Sequence, residues 1–261
     1  MVWEQTFARF KLRIVKEILL TAVSYNIHQC IGTDGKRDPQ RIGAVIRETK
    51  GDILGLQEVD FNPLGEKKSH QLDYLAEITG MKGVAGPTIR SADIHFGNAL
   101  LTSGEITNVT FHDLTVVRRQ PRGAIDAEMV CDGKPVRVLV THLGLALNER
   151  RRQAQSLIRI LRQQKADHAF TLVIGDINEW RPRGFALYSL NSHLGKAPSP
   201  RSFPSFFPVF ALDRIWVKPR AALLHVKVAH SRLARVASDH LPVLANINLS
   251  TGPRLSSGAQ D

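Results

Sequence analysis

Short apolar runs separated by one amphipathic segment open the chain. Residues 20–27 form a β-rich run with a polar end, which predicts a buried strand that delivers Asn26 and His28 to its carboxyl end. A second strand is predicted at 53–59 and carries Gln57 and Glu58. The segment between the two strands has helical spacing.

That helix is predicted from its ends and from one apolar face. Asp38 is the expected N-cap, Pro39 suits the first helical position, and Gly51 is expected to end the helix. The residues on one face are Ile42, Val45, Ile46 and Thr49. The chain therefore begins as strand, helix, strand.

The middle of the chain changes to β-rich pieces between residues 98 and 140. Strands are predicted at 124–131 and 135–141, with the dipeptide Asp132-Gly133 forming a hairpin turn between them. A helix is expected at 148–164. Its apolar stripe is Ala154, Leu157, Ile158 and Leu161, and the arginines predicted to face solvent are Arg150, Arg151 and Arg152.

The remaining pattern completes a two-sheet architecture. Further strands are predicted at 170–174, 211–217, 225–230 and 242–248, and the Pro- and Ser-rich segment 196–207 is predicted to be a loop. Strands in both halves favour an α+β fold, in which two mixed sheets pack face to face with helices outside. We expect one domain over 1–249 and a flexible tail over 250–261.

Composition limits the class of protein. Of the 261 residues, 43% are hydrophobic and 23% charged, as in an ordinary globular domain. The two cysteines, Cys30 and Cys131, cannot form a disulfide scaffold or a four-thiolate zinc site, and we expect reduced, internal thiols. No membrane span or export signal is recognisable, so we predict a cytoplasmic monomer.

The charge indicates anionic partners. Lys and Arg number 35 against 24 Asp and Glu, which gives a net charge of +11. This charge favours nucleic acid, an anionic membrane surface or a phosphorylated small molecule. In residues 7–20, apolar positions share one helical face among basic residues, which suits a helix at the inner face of the membrane or one packed on the core.

Polar residues that bind metals or transfer protons cluster at the predicted strand ends. They are Asn26, Glu58, His142, Asp176, Asn178, Asp213, Asp239 and His240. Taken singly, each has a structural explanation, such as a strand terminus or a turn cap. Together they predict one site, because loops at one end of a sheet bring such residues into contact.

The motifs around these residues carry a specific resemblance. They are Tyr25-Asn26-Ile27, Leu56-Gln57-Glu58-Val59, Thr141-His142-Leu143, Gly175-Asp176-Ile177-Asn178, Leu212-Asp213-Arg214-Ile215 and Ser238-Asp239-His240-Leu241-Pro242. Their order resembles that of the endonuclease/exonuclease/phosphatase superfamily, which includes deoxyribonuclease I-like nucleases. The segments 96–101 and 121–124 resemble its small bacterial branch. The resemblance implies a four-layer α/β/β/α sandwich and metal-dependent hydrolysis of phosphoesters.

The resemblance also implies a metal site. Glu58 is the leading ligand, with Asn26 and Asp239 beside it, and hard oxygen ligands favour Mg²⁺ or Mn²⁺. One or two ions would fit this pattern. His28 stands where nucleases with apurinic activity commonly carry an acidic residue, which argues against a repair endonuclease.

The catalytic roles follow from the same resemblance. Asp213 would orient His240, while Asp176 and Asn178 would hold the attacking water and a phosphate oxygen. His142 would donate to the phosphoryl oxygens. The proton of the water could go to Asp176 or to His240. The predicted substrate-binding residues are Arg122, His28 and Asn98.

Other functions fit less well. A calcineurin-like phosphatase needs a second motif that the chain lacks, and the helix motif of zinc peptidases is absent. An inactive binding module for nucleic acid or anionic membrane is the alternative from another class, but every matching catalytic position holds a competent residue. If the protein is an enzyme, we expect its substrate to be a phospholipid or another small phosphoester. The alternative is a nuclease that cuts DNA or RNA.

Overall fold

The computed structural model describes residues 17–61, 70–90, 95–163 and 168–251. These residues form eleven strands and five α-helices. The strands are β1 (Leu19–Asn26), β2 (Ile53–Asp60), β3 (Lys82–Arg90), β4 (His95–Thr102), β5 (Glu105–Asp113), β6 (Gly123–Cys131), β7 (Lys134–His142), β8 (Phe170–Asp176), β9 (Asp213–Lys218), β10 (Leu223–Val228) and β11 (Val243–Asn248). The helices are α1 (Pro39–Thr49), α2 (Gln71–Thr79), α3 (Leu147–Arg162), α4 (Phe185–Leu194) and α5 (Arg232–Ala237).

The strands form two mixed sheets. The first has the order β10-β11-β1-β2-β4-β3 and the second has the order β5-β6-β7-β8-β9. In each sheet one neighbouring pair is parallel, β1 with β2 and β7 with β8, and the other pairs are antiparallel. Each parallel pair brings two carboxyl ends to the same edge of its sheet.

The two sheets pack face to face, and helices cover both outer faces. Ala22 and Ile53 of the first sheet share an inner core with Val140 and Ile174 of the second. Helices α1, α2 and α5 cover the first sheet, and α3 and α4 cover the second. The predicted four-layer α/β/β/α sandwich is confirmed.

The central strands are buried on both faces, which explains their nearly continuous apolar sequences. In β1, Leu20 and Ala22 face the inner core, whereas Val23 and Tyr25 pack under the helices. Such strands lack the polar alternation of a half-exposed strand, since neither face meets water. Polar residues therefore stand out where these strands end.

Helix α1 agrees with the prediction at its start and differs at its end. The Asp38 carboxylate caps it by accepting a hydrogen bond from the Arg41 amide at 2.9 Å. Lys50, with φ of 50°, adopts the left-handed conformation at its end, rather than the predicted Gly51. The left-handed residue that ends the helix is therefore one position earlier than predicted.

The prediction that Arg150 faces solvent is wrong. Arg151 and Arg152 are exposed, but the Arg150 side chain is buried and its Nη2 lies 3.2 Å from Glu179 Oε1. Arg150 also donates to the Leu145 carbonyl. A carboxylate and a carbonyl oxygen thus replace the water that this arginine would contact at the surface.

Several other predictions differ in detail or lie outside the described residues. Strand β9 begins two residues later than predicted and β10 two residues earlier, and helices α2, α4 and α5 were not predicted. Most of the predicted N-terminal helix (7–20) and of the tail (250–261) is outside the described ranges, although Leu19 and Leu20 already belong to β1. The segment 196–207 is a loop, and both cysteines are buried. No described helix is long and apolar enough to cross a bilayer.

The approach of the two sheets depends on a glycine. A Cβ atom added to Gly55 in β2 would lie 2.7 Å from Ile174 Cγ2 and 3.0 Å from Val140 Cγ1. Both neighbours are buried residues of the opposite sheet, so they have little room to move. Gly55 therefore lets the sheets reach their observed separation.

We predict that Gly55→Ala lowers the free energy of unfolding by about 1–3 kcal/mol through overpacking. Gly83→Ala is the matched control, because its new methyl group would come no closer than 3.2 Å to a single side chain, that of Leu72. Denaturant unfolding measures both variants. Equal stability of the two would contradict the idea that Gly55 limits the packing of the sheets.

Candidate active site

The strand ends of both sheets meet at one edge of the sandwich. Register places His142, the last residue of β7, opposite Asp176, the last residue of β8. Asp176 in turn lies opposite Asp213, the first residue of β9. Asn26 ends β1 in the other sheet. The predicted convergence of strand ends is what the structure shows for these four residues.

The Asp176 carboxylate lies at the centre of this edge. Its Oδ2 is 3.2 Å from Asn26 Nδ2, 3.5 Å from His142 Nε2 and 3.7 Å from His240 Nε2. Its Oδ1 accepts a hydrogen bond from the Asn178 amide at 2.8 Å. Asp176 is 1% exposed. One buried carboxylate thus contacts residues from both sheets.

Asp213 and His240 form a buried pair. His240 Nδ1 is 2.9 Å from Asp213 Oδ2, so Nε2 of the ring is the atom that points toward Asp176. Burial lowers the pKa of His240, but the charge and hydrogen bond of Asp213 outweigh this effect and raise the pKa to about 10. Ser202 donates to the same Asp213 oxygen at 2.5 Å and fixes the carboxylate.

His142 is held in the opposite protonation state. Burial lowers its pKa to about 3, and Arg122 acts in the same direction. Asn178 Nδ2 donates to the Leu143 carbonyl and also lies 2.9 Å from His142 Nε2. Since an amide nitrogen faces the ring, Nε2 accepts and the ring proton is on Nδ1.

Glu58 and Asp239 contribute further carboxylates beside Asp176. Glu58 Oε1 accepts from Asn26 Nδ2 at 3.1 Å, and Ser238 Oγ lies between the Asn26 carbonyl, at 2.8 Å, and Asp239 Oδ1, at 3.4 Å. Burial raises the pKa of Glu58, and the charges of Asp239 and Asp176 add to this effect. Several acidic groups therefore share a small space in which a cation would relieve their repulsion.

The backbone around Glu58 is strained. Glu58 has φ of 58°, in the left-handed region, where the pairing of β2 with β4 shifts its register. A bulge of this kind redirects a side chain out of the regular alternation of a strand. Strained backbone conformations of this kind cluster at active sites and ligand-binding positions.

His28 and Asn98 stand at the margin of this arrangement. His28 Nδ1 lies 3.0 Å from the Ile31 carbonyl and 3.9 Å from Asp239 Oδ1, so its ring faces the acidic residues from the rim. Asn98 Nδ2 donates to the Gly123 carbonyl at 3.0 Å. Asn98 thus supports the backbone next to Arg122 in the other sheet.

Arg122 is buried and has no side-chain partner in the part of the chain that the structure describes. It is 7% exposed, and its Nε makes no hydrogen bond. Burial lowers its pKa, while the charges of Glu58, Glu149 and Asp176 oppose that change. The preceding arginines, Arg118 and Arg119, are exposed. Of these three arginines, Arg122 is the one that places a positive charge inside the site.

Two features of the site were not found from sequence. Ser202 lies among other serines of a loop, and nothing in the sequence distinguishes it from them. The Phe203 ring packs against the His240 ring, with 4.8 Å between the ring centroids, and against the Trp180 ring, with 5.7 Å between the centroids. Aromatic residues in a loop give no sequence signal that would assign them to the site.

Two sets of residues could hold a metal ion. Asp176, Asp213 and His240 offer ligand atoms within 4.8 Å of one another. However, His240 Nδ1 and Asp213 Oδ2 are already hydrogen-bonded to each other. The predicted ligands Glu58, Asp239 and Asn26 offer oxygen atoms, as Mg²⁺ prefers, although the Asn26 amide oxygen accepts a hydrogen bond from the His28 backbone amide at 3.0 Å.

Comparisons with known proteins agree with this geometry. The profile of the Endonuclease/Exonuclease/phosphatase family matches residues 23–240. The uncharacterized protein YbhP of Escherichia coli (strain K12) is 30% identical over 220 residues, which are 78% of this chain and 86% of YbhP.

Solved structures show the same fold. A family protein from Bacteroides thetaiotaomicron superimposes with a TM-score of 0.73 at 18% identity, covering 89% of this chain and 96% of that one. D. rerio TDP2, complexed with single strand DNA product, superimposes with a TM-score of 0.66 at 18% identity. The match covers 88% of this chain and 99% of that one. A mannosyl-6-phosphatase from Bacteroides thetaiotaomicron superimposes with a TM-score of 0.66 at 20% identity. The match covers 87% of this chain and 98% of that one.

We predict that the two buried histidines have opposite charges at pH 7 in metal-free protein. His240 should be protonated and His142 neutral, because its neighbours raise the pKa of the first and burial lowers the pKa of the second. Nitrogen-detected NMR of the histidine rings measures both, with His240→Gln to assign the signals. Asp213→Asn should lower the pKa of His240. A neutral His240 in the unaltered protein would contradict the pairing.

Proposed function

The chain belongs to the endonuclease/exonuclease/phosphatase family, a family of phosphoester hydrolases, and from this premise we propose that it uses a divalent metal ion to hydrolyse its phosphoester. The observation that carries the proposal is the buried Arg122, which forms no ion pair within the described residues although the charges of Glu58 and Asp176 act on it. A buried arginine without a carboxylate partner is costly in the free protein. A phosphate group bound between Arg122 and a cation at Glu58 would satisfy both charges.

The donor set fits Mg²⁺, and Mn²⁺ would serve as well. Glu58 and Asp239 would hold the ion, with Asn26 as a neighbouring oxygen donor, and no thiolate is present among these residues. The raised pKa of Glu58 supports this assignment, because an added cation would favour its charged form. When bound, the ion neutralises phosphate oxygens and lowers the pKa of water.

We assign the proton of the attacking water to Asp176. Asn178 donates its backbone amide to one Asp176 oxygen and so fixes the carboxylate, while the other oxygen lies near both histidines. His240 has its ring held by Asp213 and would place a positive charge near the developing negative charge. His142, which carries one ring proton, would donate to a phosphoryl oxygen.

The substrate is a phospholipid or another small phosphoester, with DNA or RNA as the alternative. The net charge of +11 suits either of these anions. Among the solved relatives, TDP2 was crystallised with a DNA product and another protein is a mannosyl-6-phosphatase. Plasmid, single-stranded oligonucleotide, sphingomyelin, phosphatidylglycerol and inositol phosphates would separate these classes in one assay. A monomer in the cytoplasm, or at the inner membrane face, remains our expectation.

We predict that Glu58→Gln lowers metal-dependent hydrolysis of bis-p-nitrophenyl phosphate by about 100-fold or more, because it removes the charge that binds the cation. Glu48→Gln, at an exposed position of α1, is the matched control and should keep full activity. Nitrophenol release with Mg²⁺, with Mn²⁺ and with EDTA measures the effect. Hydrolysis that EDTA leaves unchanged would disprove metal dependence, and an inactive unaltered protein would favour the binding module.

We predict that Asp213 and His240 act as one unit. Asp213→Asn and His240→Ala should each remove most of the activity, and the double variant should lose little more than the worse single variant. Asp176→Asn should be at least as damaging, because Asp176 would contact the water. The same nitrophenol assay measures all four variants. Independent, multiplying losses would reduce Asp213 to a structural role.

A further inference from the structure

A cavity of about 430 Å³ lies next to the active site, between α4 and the loop that precedes β9. This volume falls in the range of sites for small organic ligands. None of the residues assigned above to catalysis or metal binding is among its lining residues. The charged and aromatic residues on its wall are Glu179, Trp180, Lys196, Arg201, Phe210 and Arg214.

Arg214 places a positive charge without an ion pair, among the described residues, on the wall of the cavity. Its side chain is 4% exposed, and within the described ranges it makes one hydrogen bond, from Nη1 to the Asp213 carbonyl at 3.1 Å, and no ion pair. Burial lowers its pKa to about 10. Glu179, the acidic residue of the wall, is already paired with Arg150. A guanidinium has five N–H donors, so most of those of Arg214 are available to an anion.

Aromatic rings connect this cavity with the catalytic histidine. The ring centroids of Trp180 and Phe210 on the wall lie 4.8 Å apart, and those of Trp180 and Phe203 lie 5.7 Å apart. Phe203 in turn contacts the His240 ring at 4.8 Å. Trp180 is 40% exposed and Phe210 38%, so both offer ring surface to a ligand. A molecule that reaches from His240 along these rings would arrive at Arg214.

We propose that this cavity is a second substrate subsite, which binds an additional anionic group carried beside a flat apolar ring. The inference rests on the proposed function, because the first anionic group would be the phosphoester at His240. A nucleotide with a second phosphate has this chemistry: its base can stack on Trp180 or Phe210, and its phosphate can pair with Arg214. Lys196 and Arg201, both exposed on the wall, would add to the attraction.

The test uses two chromogenic esters that differ in a single group. One is the p-nitrophenyl ester of thymidine 5′-phosphate, and the other carries a second phosphate on its 3′ oxygen. We expect the unaltered protein to show a kcat/KM about 10- to 100-fold higher for the second ester, mainly through a lower KM. Arg214→Gln should reduce this ratio to near one.

Control variants separate a specific contact from the general charge of the protein. Arg47→Gln removes the same charge from the exposed surface of α1, and it should keep the ratio of the unaltered protein. Lys196→Glu, at an exposed position of the wall, should lower the ratio even if Arg214→Gln fails to fold. Equal kcat/KM for the two esters in the unaltered protein would overturn the proposal, as would equal effects of Arg47→Gln and Arg214→Gln.

A binding measurement tests the subsite without turnover, so the subsite can be supported or refuted even if neither ester is hydrolysed. Calorimetric titration with thymidine 3′,5′-bisphosphate in EDTA should show at least roughly tenfold weaker binding to Arg214→Gln than to the unaltered protein. Lys196→Glu serves as the second variant. Equal affinity of the unaltered protein and both variants would overturn the subsite regardless of catalysis.

Discussion

The face-to-face packing of the two sheets sets the distance between side chains that come from opposite halves of the chain. Gly55 lets Ile174 and Val140 approach β2 closely, and the inner core excludes water between them. At the edge of this core, Asn26 of the first sheet donates to Asp176 of the second at 3.2 Å. A polar contact of this length between sheets requires a rigid separation, because a shift of one ångström would break it. The geometry of the site therefore depends on the apolar core behind it.

The site concentrates charges that do not neutralise each other completely. Glu58 and Asp239 lie near Asp176, while Arg122 is buried without an ion pair in the described part of the chain. Such an arrangement costs stability in the free protein, as is common where binding requires unsatisfied groups. The Asp213–His240 pair differs, because Ser202 and the histidine satisfy the same carboxylate oxygen. The carboxylates and Arg122 are therefore suited to bind a ligand. The Asp213–His240 pair is suited to keep its own geometry.

Sequence was sufficient where one local pattern determines the structure. The capped start of helix α1 and the two-sided apolar strands follow from residue spacing, and the polar residues at strand ends are enough to indicate Asp176 and His142. Sequence failed where a partner distant along the chain decides the outcome. Arg150 is buried because Glu179, on another segment, receives its charge. No spacing rule could have predicted that pair, nor the contact of Phe203 with His240, since both depend on how loops pack.

The pairing of β1 with β11 joins the two ends of the described chain, with Leu19 opposite Asn248. Strand β1 also pairs with β2, so the first sheet is complete only when the last strand is present. During synthesis, β1 leaves the ribosome long before its neighbour β11 does. Contacts between residues so far apart in sequence also slow folding, because closing the intervening loop costs entropy before the pairing repays it. Nascent chains therefore expose one apolar edge of β1 until β11 has been synthesised, although the other edge can pair with β2 much earlier.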